Sequence, residues 1–378
     1  CIIVQDSKQL QEALKKLKDG STICLLAGEY SNIKELLISD RKNIVIRGCN
    51  LASKLFTNIK ITDCQNVVLE NLDISGNIFV GNVIDFSMKG NVISQVNDQI
   101  FEVAKCQGII MESNLFTVKS QNGLVFEALN DLKIHKNRIN IDLSNTEIKE
   151  LSSIFVANSS DIEITNNLIQ ISDSEGISEK VTVIGMRLED IEERELEGNV
   201  SVISNTVNAI NAPSLNIKSK GPVRVHGNIF KSTLRSLGQS DVEEGSTVNI
   251  ESPEKQIIFT NNLCYSYSIR GPVNDNYVYL IGIKGRDTIF SNNNCDFTAK
   301  SYEVEQVTTH VYIHIPPKSG FSANVIGNRC SENIIDERFF SIFAGEMPGV
   351  SADKQSILLG NITQNVIRPE TQNLNLRS

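Results

Sequence analysis

Hydrophobic and polar positions along this chain of 378 residues follow one short rule many times over: apolar, any, apolar, any, any, Asn, any, apolar. It reads Phe86, Met88, Asn91, Ile93 and then Ile109, Met111, Asn114, Phe116. It returns around Asn137, Asn167, Asn205, Asn228 and Asn262, and more loosely around Asn293 and Asn328. Two earlier copies, Ile44 to Leu51 and Val67 to Ile74, place Cys49 and Leu72 where the Asn is due, and a frayed last copy lies around Leu358 to Ile367. Alternating apolar residues predict short strands with one buried face. A key position that recurs after units as small as 19 and 23 residues predicts the stacked turns of a solenoid.

An Asn at each corner has two physical uses. It tolerates the left-handed backbone conformation, and its amide both donates and accepts hydrogen bonds. Stacked at the strand spacing of about 4.8 Å, such amides bond to the turns above and below. The expected fold is all-β: a single-stranded right-handed parallel β-helix of about eleven or twelve rungs, one domain over residues 1–378. A further strand precedes each motif, at 100–104, 124–129, 154–158, 184–188, 215–218, 248–251, 279–284 and 311–315, which predicts a second continuous sheet. Residues 7–18 read as an amphipathic helix with Ser7 as N-cap, an apolar face of Leu10, Ala13, Leu14 and Leu17, and Gly20 as terminator. It is expected to cap the open first rung.

Composition sharpens this picture. Asn supplies 40 residues and Trp none, which suits a β protein rich in turns. A formal charge of −9 with pI ≈ 5.2 excludes nucleic acid as a partner, because a phosphate backbone calls for a dense Lys/Arg surface. No run of about 18 apolar residues occurs, so no transmembrane helix is expected. The 8 cysteines include no Cys-x-x-Cys pair, against a zinc ribbon or a thioredoxin-like site. Contexts such as Ile23-Cys24-Leu25 suit buried free thiols. Cys264, Cys295 and Cys330 fall at one inward position on successive rungs, a stacked apolar row whose spacing would also permit a disulfide. Cys1 fits first the start of a truncated chain, and after that the first residue of a mature secreted or lipid-anchored protein. A secreted or cell-surface monomer is the expectation.

The opening, Leu10-x-x-Ala13-Leu14 through Asp19-Gly20-Ser21-Thr22-Ile23 to Leu26-Ala27-Gly28-Glu29-Tyr30, resembles the start of many pectate-lyase-superfamily β-helices. Ile44-Val45-Ile46-Arg47-Gly48 and Val67-Val68-Leu69-Glu70-Asn71-Leu72-Asp73-Ile74 resemble the chondroitinase-B/alginate-lyase family most. That resemblance implies an acidic polysaccharide bound along the sheet preceding the Asn corner, in a groove walled by long turns. Here the long insertions fall around 170–198, 231–247, 265–277, 296–309 and 331–355. Alternation turns Arg187 and Glu189, Asn216 and Lys218, and Asn249 and Glu251 outward, with Lys284, Arg286, Tyr312 and His314 beyond them.

β-Elimination from a uronate needs a neutralised carboxylate, a base for the C5 proton and an acid for the leaving oxygen. By the resemblance, a calcium ion would be held by Asn216, Asn249 and Glu251. Lys218, Lys284, Arg286 and His314 would carry the proton transfers and charge neutralisation. Arg187, Asn249, Lys255 and Tyr312 would contact substrate. The chain also departs from the family. The family's Glu-x-Glu rung and following Lys align with Ser246-Thr247-Val248 and Pro253, and its Arg-His-Gly is reduced to Ile269-Arg270-Gly271. The family's site therefore does not carry over residue by residue, and blander readings stay open. The polar strand face can be simply solvated, with Lys255 a turn residue and His314 a surface histidine. His226 reads as structural, and the acidic run from Glu189 to Glu197 as a solvated loop or short helix. The functional alternatives are a non-catalytic carbohydrate-binding or adhesion β-helix and a rigid module of a larger assembly.

Overall fold

Each apolar-x-apolar stretch forms a strand that pairs, parallel and in register, with its copies one turn away. Phe86 lies opposite Val67 and Ile109, and Met88 opposite Leu69 and Met111, all buried. The computed structural model describes residues 1–96, 99–119, 123–143, 150–172, 181–189, 196–236, 246–270, 278–299, 308–315, 322–332, 338–344, 359–363, 366–367 and 374–377. They fall into two units, Cys1–Ile177 and Ser178–Ser378. Each is built as a right-handed parallel β-helix.

In the first unit a turn consists of an entry strand, a central strand carrying the apolar pair and an exit strand after the corner. One such turn is Ile78–Gly81, Ile84–Lys89 and Val92–Val96. Its strands pair with Phe101–Ala104, Gln107–Glu112 and Leu115–Lys119 of the next turn. The coil starts earlier than the first motif copy: Thr22–Leu25 already pairs with the Lys42–Gly48 strand, and Gly28–Tyr30 with Ser53–Phe56. Backbone direction reverses at residues with positive φ, at the end of the entry strand (Asp40, Asp63, Asn82) and early in the central strand (Asn43, Asn66, Asp85). Asn and Asp populate that region more readily than other residues with a Cβ, which accounts for much of the Asn excess.

The corner Asn residues form the expected ladder. Asn91 donates from its backbone N–H and from Nδ2 to Oδ1 of Asn114, each at 3.0 Å. Asn114 does the same to Asn137, and Asn137 to Asn167. The second amide hydrogen reaches back to a carbonyl of an earlier turn, as from Asn137 to Met111 O at 2.8 Å. Every donor and acceptor of a mid-ladder amide is thus used where water is excluded. The ladder begins where Leu72 offers only its backbone N–H, 3.0 Å from Asn91 Oδ1. One expectation is corrected. The ladder Asn residues are not the left-handed ones; that conformation belongs to the residue before each, Gly90 (φ 62°), Ser113 (55°), Lys136 (56°) and Asn166 (56°). The bend is made one residue early so that the following side chain points into the corner.

The N-terminal helix runs Ser7–Lys15, shorter than expected, and its N-cap is Asp6, whose carboxylate accepts from Gln9 N–H at 2.8 Å. It packs on Ile2–Val4, Gly28–Tyr30 and Glu35–Ser39 with Leu10 and Ala13 buried, covering the first turn as expected. Gly20 lies past the helix end and donates to Lys42 O. Cys24 is not a free thiol. Parallel pairing of Ile2–Val4 with Thr22–Leu25 brings Cys1 beside it, and the two form a disulfide. Cys64 and Cys106 are free and buried, and burial pushes both thiols above their usual range.

The second unit repeats the ladder through Asn205, Asn228, Asn262, Asn293 and Asn328. Its interior stacks Phe230 on Phe259 and Phe259 on Phe290, with centroids 6.3 and 5.3 Å apart. Cys264, Cys295 and Cys330 occupy one register position, and Cys264 and Cys295 are buried free thiols, not a disulfide. Entry and central strands merge here into single strands, Val248–Thr260 and Val278–Ser291, which bend through a register shift between Ser252 and Gln256. Part of what reads as insertion is strand: Ile229–Ser236, Leu263–Arg270 and Asn294–Ala299. The remaining insertion residues, 173–180, 190–195, 237–245, 271–277, 300–307, 333–337 and 345–355, lie outside the described residues.

Two outcomes follow. Asn137→Ala leaves a backbone N–H, an amide hydrogen and the Met111 carbonyl without partners, and should cost about 3 kcal/mol in urea unfolding, more than Asn91→Ala at the ladder's start. Among the described cysteines, exposed Cys49 should react with a thiol reagent at pH 8 well before Cys64 or Cys106.

Candidate functional site

The entry sheet of the second unit stacks Thr182–Leu188, Leu215–Lys218, the first part of Val248–Thr260, the first part of Val278–Ser291, and Thr308–Ile315. Met186, Leu188, Leu215, Ile217, Val248, Ile250, Ile281 and Ile283 fill the interior. The alternate positions therefore form in-register rows on the outer face. One row runs Arg187, Asn216, Asn249, Gly282, Tyr312. The other carries Lys218, Glu251, Lys284 and His314 in register, with Glu189 following the Leu188–Ile217 pair at its head. Most sequence-predicted site residues are thus brought together. The side chains of Tyr312 and His314 lie outside the described residues.

Two candidates leave the group. Arg286 lies at the corner between the two sheets, one residue before Asp287, which pairs with Gln256 on the central sheet, and its Nε lies 3.4 Å from the Asp287 carboxylate. Lys255 is exposed within the bulge between the two sheets. Both departures follow from the merging of entry and central strands, which carries the chain around the corner without a break.

The face is solvated only in part: Arg187, Lys218, Glu251 and Lys284 reach water. Asn216, Asn249 and Glu189 are buried, Glu189 at 6% exposure. Arg187 holds Oε1 of Glu189 through Nε and a terminal nitrogen. Asn216 donates to Oε2 at 3.3 Å, and Lys218 Nζ stands 3.7 Å from it. Asn249 in turn donates to Asn216 Oδ1 at 3.1 Å, and Lys284 Nζ lies 4.0 Å from Glu251. Glu189 therefore organises the face, and the reading of the acidic run as a solvated loop fails at its first residue. Burying a carboxylate demands such partners. The sequence carried a partial signal, because Arg187 and Glu189 share a strand face, but only stacking supplies Asn216 and Lys218.

Alternating charge alone does not mark a site. A row in the first unit's central sheet, Arg47, Glu70, Lys89, Glu112 and His135, also alternates in register, on the outside of the coil. What distinguishes the second-unit face is the buried carboxylate with its amide chain, and three cations, Arg187, Lys218 and Lys284, against two carboxylates.

Asn216, Asn249 and Glu251 supply oxygens on adjacent rungs, yet as arranged they do not fit a calcium ion. Asn216 turns its NH2 to Glu189 and its oxygen to Asn249, and the positions beside the carboxylates are taken by Arg187, Lys218 and Lys284. Calcium prefers a cage of oxygens free of competing cations.

No family model and no curated protein matches the chain. Among solved structures it is similar to a PL6-family polysaccharide lyase from Pseudopedobacter saltans, at 12% identity over 98% of this chain and 93% of that one, with TM-score 0.49. It is also similar to a DFA-IIIase from Arthrobacter chlorophenolicus (11% identity, 97% and 89% covered, TM-score 0.45). A third is a surface adhesin of Streptococcus pneumoniae (9% identity, 90% and 86% covered, TM-score 0.33).

Glu189→Gln should lower stability by about 2 kcal/mol in urea unfolding, the modest side of a broken buried pair because Arg187 and Lys218 still touch water. Glu251→Gln should change it by less than about 0.5 kcal/mol.

Proposed function

We propose that the protein binds a uronate-containing polysaccharide along the entry sheet of its second unit and cleaves it by β-elimination. The observation that carries this reading is the buried Glu189 held by Arg187 and Lys218, with Lys284 two strands further along the row of Lys218. The sequence resemblance to the chondroitinase-B/alginate-lyase family points the same way. A polymer lying across the rungs meets a new strand about every 4.8 Å, so a rigid sheet presents one set of polar groups after another to its repeating units.

In this reading Arg187 and Lys218, held by Glu189, face the uronate carboxylate and stabilise the charge that grows on it as the C5 proton leaves. They do this directly, with no calcium ion. Lys284, whose contact with Glu251 is the loosest on the face, acts in its neutral amine form: its nitrogen takes the C5 proton and becomes the ammonium. The freed electron pair forms the C4–C5 double bond, the C4–O bond breaks, and the glycosidic oxygen is protonated by His314, in register with Lys284 on the next rung. A second reading, binding without cleavage, draws on one observation: Arg187 and Lys218 are already paired with Glu189.

Incubation with alginate, chondroitin and pectate should yield unsaturated uronate ends, read by their ultraviolet absorbance, and a chelator should leave the rate unchanged. Lys284→Ala should lower kcat/KM about 100-fold or more. Retention of a polymer without unsaturated product would select the second reading, and neither retention nor product would remove both.

A further inference from the structure

The exit sheet of the second unit lies on another side of the coil and carries a different chemistry. On the strand Leu263–Arg270, Tyr265 and Tyr267 are two residues apart, so both rings stand on the outer face while Cys264 and Ser266 point inward, buried. Tyr267 is 41% exposed, the one large apolar side chain so exposed among the described residues of this unit. The other described residues of this kind belong to the first unit. Tyr265 is half-buried, with Lys231 Nζ 5.8 Å from its ring centroid. Register places Lys231 and Asp296 on either side of Tyr265, and Thr233 beside Tyr267.

We infer that this pair of tyrosines is a pyranose-binding platform for a polysaccharide chain, separate from the cationic face. A pyranose ring has an apolar face of C–H bonds and a rim of hydroxyls. An exposed Tyr ring matches the first, and the Asp296 carboxylate with the Thr233 hydroxyl matches the second. The rings sit on a paired strand, so little side-chain freedom is lost when a sugar stacks on them. The flanking charges, one Lys and one Asp, cancel, so the platform selects hydroxyl-rich sugar by stacking and not an anion by charge. Stacked nucleobases are disfavoured, because the chain is acidic and the platform carries one cation against one carboxylate. With no Trp in the chain, Tyr is the amphipathic aromatic available for the purpose.

The inference rests on the reading that the protein handles polysaccharide, and the test separates the two. Affinity electrophoresis through gels containing alginate, chondroitin, pectate or a neutral glucan would be run on the wild type, Tyr267→Ala, Tyr267→Phe, Lys284→Ala and the double variant of Tyr267→Ala with Lys284→Ala, each checked for fold by circular dichroism. The wild type should be retarded by at least one polymer. Tyr267→Ala should weaken the retardation about tenfold in apparent Kd, in the wild-type and in the Lys284→Ala background alike, and Tyr267→Phe should keep it within about twofold. Retardation that depends on Tyr267 in a protein releasing no product would sustain the platform and remove the lyase reading. Equal retardation of wild type and Tyr267→Ala, retardation by none of the polymers, or light scattering that shows self-association abolished by Tyr267→Ala would overturn the platform.

Discussion

The structure depends on satisfying backbone hydrogen bonds at corners that water cannot reach. A coil of short strands must change direction several times per turn, and at each change the sheet pairing lapses and polar groups would be stranded. The Asn ladder answers this at one corner by lending a carbonyl oxygen to the N–H of the turn before and two amide hydrogens to carbonyls and neighbouring amides. At another corner of the first unit the same need is met by shorter groups: Cys106 Sγ accepts from Val83 N–H, and Ser159 Oγ from Leu129 N–H. The two devices differ in reach, which is why only the long amide links side chain to side chain.

That scaffold sets what the surface can do. Because strands stack in register, any residue type placed at one position is repeated against its neighbours about 4.8 Å away, and outward charges must alternate or pair. The second-unit entry sheet meets this with Glu189 between Arg187, Asn216 and Lys218, the exit sheet with Tyr265 between Lys231 and Asp296. Rigid strands thus hold two chemically distinct faces, one cationic and amide-rich, the other aromatic and neutral.

Much of the fold was legible because its signals are local and periodic. The apolar-x-apolar pairs, the recurring Asn and the cap helix each follow from spacing within a few residues, and the row of Cys264, Cys295 and Cys330 follows from adding the repeat. The left-handed corners were assigned to the wrong residue, because an Asn recurring for its amide looks the same in sequence as one recurring for its backbone. The Cys1–Cys24 bond was missed because the first strand, Ile2–Val4, precedes the first motif copy and leaves no periodic trace.

On the outer faces, alternation along each strand is enough to tell which side chains point outward, since it needs no knowledge of the neighbours. Which of those outward residues meet is fixed by how the turns stack. Turns of 19 to 35 residues between bonded ladder positions bring Arg187, Asn216 and Asn249 side by side, bury Glu189 next to them, and carry Arg286 and Lys255 off around the corner. The reason is physical. Burial and pairing are properties of the stack, set by register between turns, whereas the direction of a side chain is set by the backbone of its own strand.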